Sequence, residues 1–194
     1  MTSLRHNDAA PEPRDAYLDA ARACLLDVGW RRTTLTEVAR RAGVSRMTIY
    51  RTWADMPTLL GDLMTREWTA VVASTAGTGG PSGLVDRMVA TIRALRVNEL
   101  FVRIVEVDPE LVLPYLLARR GRSQDLILAI AAEAVAAGQA DGTVRPGNPT
   151  AIARGLVLAA HGFVLSAHTM VDDGASEAEL DAELALLLTR ALQP

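Results

Sequence analysis

TTLTEVARRAGVSRMTIYRTWADMPTLL, Thr33 to Leu60, is the stretch that decides the fold. Thr34-Leu35-Thr36-Glu37 has the pattern of a capping box, with Thr34 as N-cap and Glu37 placed to reach back to the cap's own N–H. Leu35, Val38, Ala39 and Ala42 then recur at helical spacing on one face. Gly43 ends that helix, because glycine alone takes the left-handed conformation without a Cβ penalty. Val44 follows as a plug between two helices, and Ser45 caps the second of them. Ile49 and Trp53 face inward in that second helix, which leaves Arg46, Met47, Thr48, Tyr50 and Arg51 turned mostly outward. Two short helices about a glycine turn form a helix-turn-helix. The exposed set offers guanidinium forks, hydroxyls and methyl groups, the chemistry that meets phosphates and base edges in a DNA groove.

Charge is distributed to match. The whole chain carries −3, a figure that by itself argues against a nucleic-acid partner. Between Val28 and Trp53, however, six arginines (31, 32, 40, 41, 46 and 51) stand against the single acid Glu37, a net of +5. From Pro57 onward 11 arginines stand against 16 acids, so the remainder is net −5. The asymmetry between segments says more than the total. A charge run is often only a solvated face, and Arg31, Arg32, Arg40 and Arg41 individually fit that reading too.

Outward from this stretch the chain reads as helix throughout, about nine in all, with no convincing strand alternation. Residues 1–13 form a polar, proline-bearing arm expected to be disordered. A first helix follows, with Leu18, Ala21, Leu25 and Val28 on one face and Gly29 at its end. A fourth helix spans about Pro57 to Ser74, with proline at N1. Thr75 to Gly83 reads as a flexible connector, since no strand precedes it and no Gly-Lys-Ser/Thr follows. Helices are expected over Leu84–Val97 and Glu99–Val107. Asp108-Pro109 opens another, bent or interrupted near Pro114 and Gly121 and resumed over Gln124–Ala137, before a loop at Gly138–Gly147. Asn148-Pro149 opens a helix to about Thr169, and Ser176 to Glu179 caps the last. The expected fold is all-α: a helix-turn-helix domain over 14–56 and a larger helical body over 57–194. The last two helices carry their own signal. Gly155, Ala159, Gly162 and Ser166 make a stripe of small side chains, and Leu180, Leu184, Leu187 and Ala191 share a face of the final helix. These faces suit either a dimer seam or the body's own core.

From Tyr17 to Leu60 the sequence resembles the DNA-binding domain of the TetR family of bacterial transcriptional regulators. The resemblance rests on the Asp19-Ala20-Ala21 run, Gly29 followed by an aromatic, Thr33-Thr34, Val38-Ala39, Ala42-Gly43-Val44-Ser45 and Thr48-Ile49-Tyr50, without a gap. It implies DNA contact from Thr34, Ser45, Arg46, Met47, Thr48, Tyr50, Arg51 and Thr52, with Arg46 and Arg51 reading bases. It implies a homodimer through the last two helices, on a near-palindromic operator of double-stranded DNA. It implies a repressor whose helical body binds a small, largely apolar effector that releases the operator, with the fourth helix as the lever. A constitutive or architectural DNA binder without an effector is the alternative. Three positions depart from the family pattern. Trp53 and Leu25 replace phenylalanines, both read as tolerable core exchanges. Met56 stands where a lysine commonly holds a phosphate at the start of the fourth helix, so one backbone clamp is missing.

Met64, Trp68, Met88, Phe101, Tyr115, His161 and Met170 are the candidate effector-pocket residues, though each also suits an ordinary core. His161 and His168 lie seven residues apart, about 10.5 Å by helical rise, too far to share one metal ion. No metal or cofactor is expected. No nucleophile elbow, paired-carboxylate context or metal-ligand spacing points to an enzyme. All 20 basic residues are arginine. The single Cys24 reads as a small buried hydrophobe with no disulfide partner. No signal peptide is apparent and no apolar run reaches the ~18 residues of a membrane span, so the expected setting is cytoplasmic.

Overall fold

The computed structural model of the chain describes residues 13–77 and 83–194. The arm expected over residues 1–13 lies outside these, apart from Pro13, as do residues 78–82 of the expected connector. Ten α-helices and no strand occur among the described residues, with one isolated bridge between Asp172 and Ala175. The helices are α1 (Pro13–Val28), α2 (Leu35–Arg41), α3 (Arg46–Thr52), α4 (Met56–Ser74), α5 (Leu84–Arg96), α6 (Glu99–Val107), α7 (Leu113–Leu117), α8 (Arg122–Ala140), α9 (Pro149–Ser166) and α10 (Glu177–Leu192). The chain divides into two compact units, residues 1–63 and 64–194, and the division falls inside α4.

The first unit is built on a small core. Leu18, Ala21, Cys24 and Leu25 of α1 are buried, as are Leu35, Val38 and Ala39 of α2, Ile49 of α3, and Leu59, Leu60 and Leu63 of α4. The opening turns of α4 therefore belong to this unit, seven residues beyond the boundary that sequence suggests. Burial raises the pKa of the Cys24 thiol, which keeps it neutral as a small apolar group.

Trp53 does more than fill the core. It is 1% exposed, and its indole Nε1 donates to Asp62 Oδ2 at 2.6 Å. Arg14 of α1 pairs with the same carboxylate oxygen and lies over the Trp53 ring, 5.7 Å from its centroid. Tyr17 meets that ring edge-on at 6.3 Å. A buried carboxylate thus ties α1, the end of α3 and α4 together. The exchange of phenylalanine for tryptophan is accordingly a new hydrogen bond and not a neutral swap.

In the second unit Val89, Ile92, Val135, Val144, Ile152, Leu156, Leu184, Leu188 and Leu192 form the core. Asp181 of α10, 3% exposed, accepts from Arg93 Nε at 2.5 Å and pairs with Arg96, whose Nη1 also reaches Glu177 at 2.5 Å. These ion pairs fasten α5 to α10. Pro114 sits in the first turn of the short α7, and Gly121 is the N-cap of a longer α8, so the segment is broken and not bent. α8 continues to Ala140, because Val144 seats on Gly138 where a Cβ would come within 2.5 Å of it. Finally, Leu184 is fully buried, so it belongs to the core of its own unit and not to an exposed seam.

The segment Pro149–Met170 is, at 22 residues and a mean hydropathy of 1.5, long and apolar enough to cross a membrane by length and composition. The expectation that no run is long enough therefore does not hold. Ile152 and Leu156 enter the core, and Arg154, His161 and His168 lie along the same segment. A spanning helix would have to bury those three in hydrocarbon.

Candidate nucleic-acid interface

The turn that presents α3 is set by local chemistry. Thr34 caps α2, its Oγ1 accepting from Glu37 N at 3.2 Å. Only half of the expected capping box forms. The Glu37 carboxylate turns instead to Arg40, accepting from Nε at 3.0 Å and Nη2 at 2.6 Å. That bond holds its carboxyl below the usual range. Gly43, at φ 69°, lies in the left-handed region and turns the chain. Ser45 then caps α3, accepting from Thr48 N at 3.1 Å, while its Oγ lies 2.8 Å from Thr48 Oγ1. Ile49 is fully buried and anchors the helix.

What α3 presents outward follows from that anchoring. Arg46, Met47, Tyr50, Arg51 and Thr52 are exposed, Met47 at 78%. Thr34 and Ser45 are exposed as well, whereas Thr48 is half-buried. The hydroxyls are less free than the guanidiniums. Those of Ser45 and Thr48 bond each other, and Thr52 Oγ1 donates to Thr48 O at 3.1 Å. Among the described residues neither Arg46 nor Arg51 has a side-chain partner. Arg40 is matched by Glu37 and Arg41 by Asp27, while Arg32 Nε donates to Val28 O at 3.0 Å. Two uncommitted guanidiniums on an anchored helix, with an exposed methionine and tyrosine beside them, form a surface ready to accept phosphates and base edges.

Sequence reasoning passed over Asp55. Its carboxylate accepts from Thr58 N at 2.8 Å and thereby caps α4; the Thr58 hydroxyl first, and this N–H second, hold its pKa below the usual range. The signal was there, in an Asp three residues ahead of Thr58 with proline between them. α4 accordingly begins at Met56, with Pro57 second. The start of α4 thus carries a half-buried methionine and an exposed acid.

Residues 18–63 match the family described as bacterial regulatory proteins, tetR family. An uncharacterized HTH-type transcriptional regulator of Mycobacterium bovis is 34% identical over 168 residues, 86% of this chain and 87% of that one. The chain belongs to the TetR family of transcriptional regulators. The regulator AqdR of Rhodococcus erythropolis is 38% identical over a shorter span of 72 residues, 34% of this chain and 35% of its own length. The TetR fold extends over both units. The R. erythropolis TetR-family repressor QsdR superposes with a TM-score of 0.67 at 18% identity, over 94% of this chain and 96% of its own. The flavonoid-responsive regulator FrrA gives 0.61 at 20%, over 95% and 99%. A complex of SmeT with triclosan gives 0.58 at 24%, over 92% and 90%. As a TetR-family regulator the chain is a DNA-binding protein and not an enzyme.

The candidate effector residues of the second unit fall at several places in it. Trp68 and Phe101 meet edge-on at 5.5 Å, and Met88 packs against the core of the second unit. Met170 is 64% exposed. Tyr115 and His161 line one groove, an open one of about 590 Å³. Of the small-residue stripe, Gly155, Ala159, Gly162 and Ser166 are all exposed, and a Cβ at Gly155 or Gly162 would meet nothing within 4 Å. On α10, Leu180 is half-buried and Leu187 is 55% exposed.

Proposed function

We propose that the protein is a homodimeric, cytoplasmic repressor that binds a near-palindromic operator through α3 and leaves it when a small molecule occupies the second unit. The observation that carries the DNA half is the pair of unpartnered guanidiniums, Arg46 and Arg51, on a helix whose opposite face is anchored by Ile49. Arg46, in the first turn, reads bases in the major groove. Tyr50, Thr34, Ser45, Thr48 and Thr52 hold the backbone, with Met47 against thymine methyls.

The dimer half is supported by the exposed small-residue stripe of α9, together with Leu187 of α10 at 55% exposure. Apolar side chains left open beside glycines that meet no neighbour suit a close helix–helix seam with a second copy. Two-fold symmetry then sets the two α3 helices about 34–36 Å apart, or a multiple of one DNA turn. Ligand release is supported by the flavonoid-responsive and triclosan-bound structures that share this fold. An effector achieves it only by binding the DNA-incompetent conformation more tightly.

The test is a gel shift with the DNA flanking the protein's own gene, followed by a thermal-shift screen of small molecules. Arg46→Ala and Tyr50→Ala are each expected to abolish specific retardation while the circular dichroism spectrum and dimer mass stay unchanged. Unaltered operator affinity in both variants would move recognition away from α3.

A further inference from the structure

The groove in the second unit has a chemical character that none of its similarities assigns. One wall is α9, where Arg154, Leu158 and His161 follow at i, i+4 and i+7; the other is α7 with the turn into α8. That turn is pinned. Gln124 accepts from Gly121 N at 2.9 Å through Oε1 and donates to Tyr115 O at 3.2 Å through Nε2. Arg119 extends over the Tyr115 ring, 5.3 Å from its centroid. Its neighbour Arg120 is satisfied by Asp125 at 2.8 Å, the one carboxylate in the lining. Arg119 and Arg154 have no carboxylate partner among the described residues. Leu116, Leu117, Leu128 and Val157 contribute apolar surface to the same lining. The volume lies within the ~300–1,000 Å³ of small-molecule sites.

An apolar trough with an uncompensated guanidinium on each wall selects for charge as well as for shape. A guanidinium beside apolar surface gains most from an oxyanion that also covers that surface, because the fork matches a carboxylate or phosphate in two hydrogen bonds. From this geometry we infer that the groove binds an anionic amphiphile, its acidic head held by Arg119 and Arg154 and its apolar body against the leucines. The inference deepens the effector reading above and rests on it. It also places the ligand next to the proposed seam. Gly155, Ala159 and Gly162 each follow the groove residues Arg154, Leu158 and His161 by one position, about 100° around α9. A molecule in the groove therefore sits on the face of α9 adjoining the stripe.

Calorimetric titration of the full-length protein with dodecanoate, dodecyl phosphate, dodecanol and dodecyltrimethylammonium, all below micelle formation, tests this. Expected are binding of the anionic probes, at least tenfold weaker binding of dodecanol and none of the ammonium. Dodecanoate against dodecyl phosphate tells which acidic head is preferred. Arg154→Gln and Arg119→Gln should each weaken anion binding roughly tenfold and leave dodecanol binding unchanged. Equal affinity for alcohol and acid, an undiminished acid preference in both variants, or no binding of either anion overturns the assignment. A gel shift with the same probes separates this from the parent reading. Dodecanoate that binds through Arg154 without freeing the operator sustains the groove and sinks effector release by it. Release by some other molecule, with neither anion bound, does the reverse.

Discussion

Replacing Trp53 with phenylalanine restores the side chain usual in the family, yet it should destabilise this protein. The indole Nε1 donates to Asp62 Oδ2 at 2.6 Å, and the Asp62 side chain is only 8% exposed. A hydrogen bond to a charged group contributes about 1.5–3 kcal/mol. Phenylalanine removes that bond, leaves the buried carboxylate with Arg14, and gives up the packing of the second indole ring, about 1 kcal/mol more. A total near 2.5–4 kcal/mol means that local opening of the first unit becomes roughly 10²–10³ times more frequent, at a factor of ten per 1.4 kcal/mol. Native-state hydrogen exchange reads this directly. The amides of Ile49 and Trp53, which bond to Ser45 O and Ile49 O, should exchange faster by that factor. Core amides of the second unit should not change, so the effect is local to the head. Asp62→Asn supplies the control. In its background the same Trp53→Phe change should cost at least 1 kcal/mol less, because no buried charge loses a donor. A coupling between the two changes below about 0.5 kcal/mol, the ordinary scatter of independent sites, would refute the reasoning.

Met56→Lys should return a phosphate clamp to the start of α4, tightening operator binding and steepening the dependence of log K on log salt by about 0.9; an unchanged slope in the variant would remove the clamp from consideration. Leu187→Arg, at a side chain 55% exposed, should yield folded monomers by light scattering with weakened operator binding. Leu184→Arg places its charge in the core and should instead cost the second unit its cooperative unfolding transition, so folded monomers from that variant would contradict the burial described above. Burial holds the pKa of His161 below its ordinary 6.5, so the unfolded chain takes up that proton more readily than the folded one. Its contribution to stability is complete above about pH 6.5 and is lost as pH falls from there through the folded pKa. The thermal midpoint of the second unit should therefore drop between pH 7.5 and 5.5, and drop less in His161→Gln; equal drops would exclude the imidazole as the cause.

The helix-turn-helix was legible in the sequence because its determinants are local. The Thr34 and Ser45 caps, the left-handed Gly43 and the spacing of Val38, Ala39 and Ile49 all act within a few residues of one another, and each does in the structure what its chemistry dictates. What sequence could not supply were partners brought from a distance. Glu37 had a choice between its cap N–H and Arg40, and a charged guanidinium one turn away is the stronger claimant. Asp62, 48 residues from Arg14, reads as one acid on an amphipathic helix until folding buries it against Trp53. Leu184 and Leu187 look equivalent as apolar positions on α10, and only the packing of α5 and α9 against that helix decides which of them is core.

The same distinction separates the two functional surfaces. The α3 surface is written in consecutive residues, 45–52, so one short segment specifies both its fold and its chemistry. The groove is assembled from positions 115–128 and 154–161, and the residues singled out by size and polarity contribute only Tyr115 and His161 to it. Its charge comes from Arg119 and Arg154, which in sequence are indistinguishable from the other arginines of an acidic body. Their significance is relational. Arg93 and Arg96 meet Asp181, and Arg120 meets Asp125, the one carboxylate lining the trough, whereas these two line it with no carboxylate of their own among the described residues. In a body that is net negative, two guanidiniums left unmatched across one groove are what an incoming acid would complete.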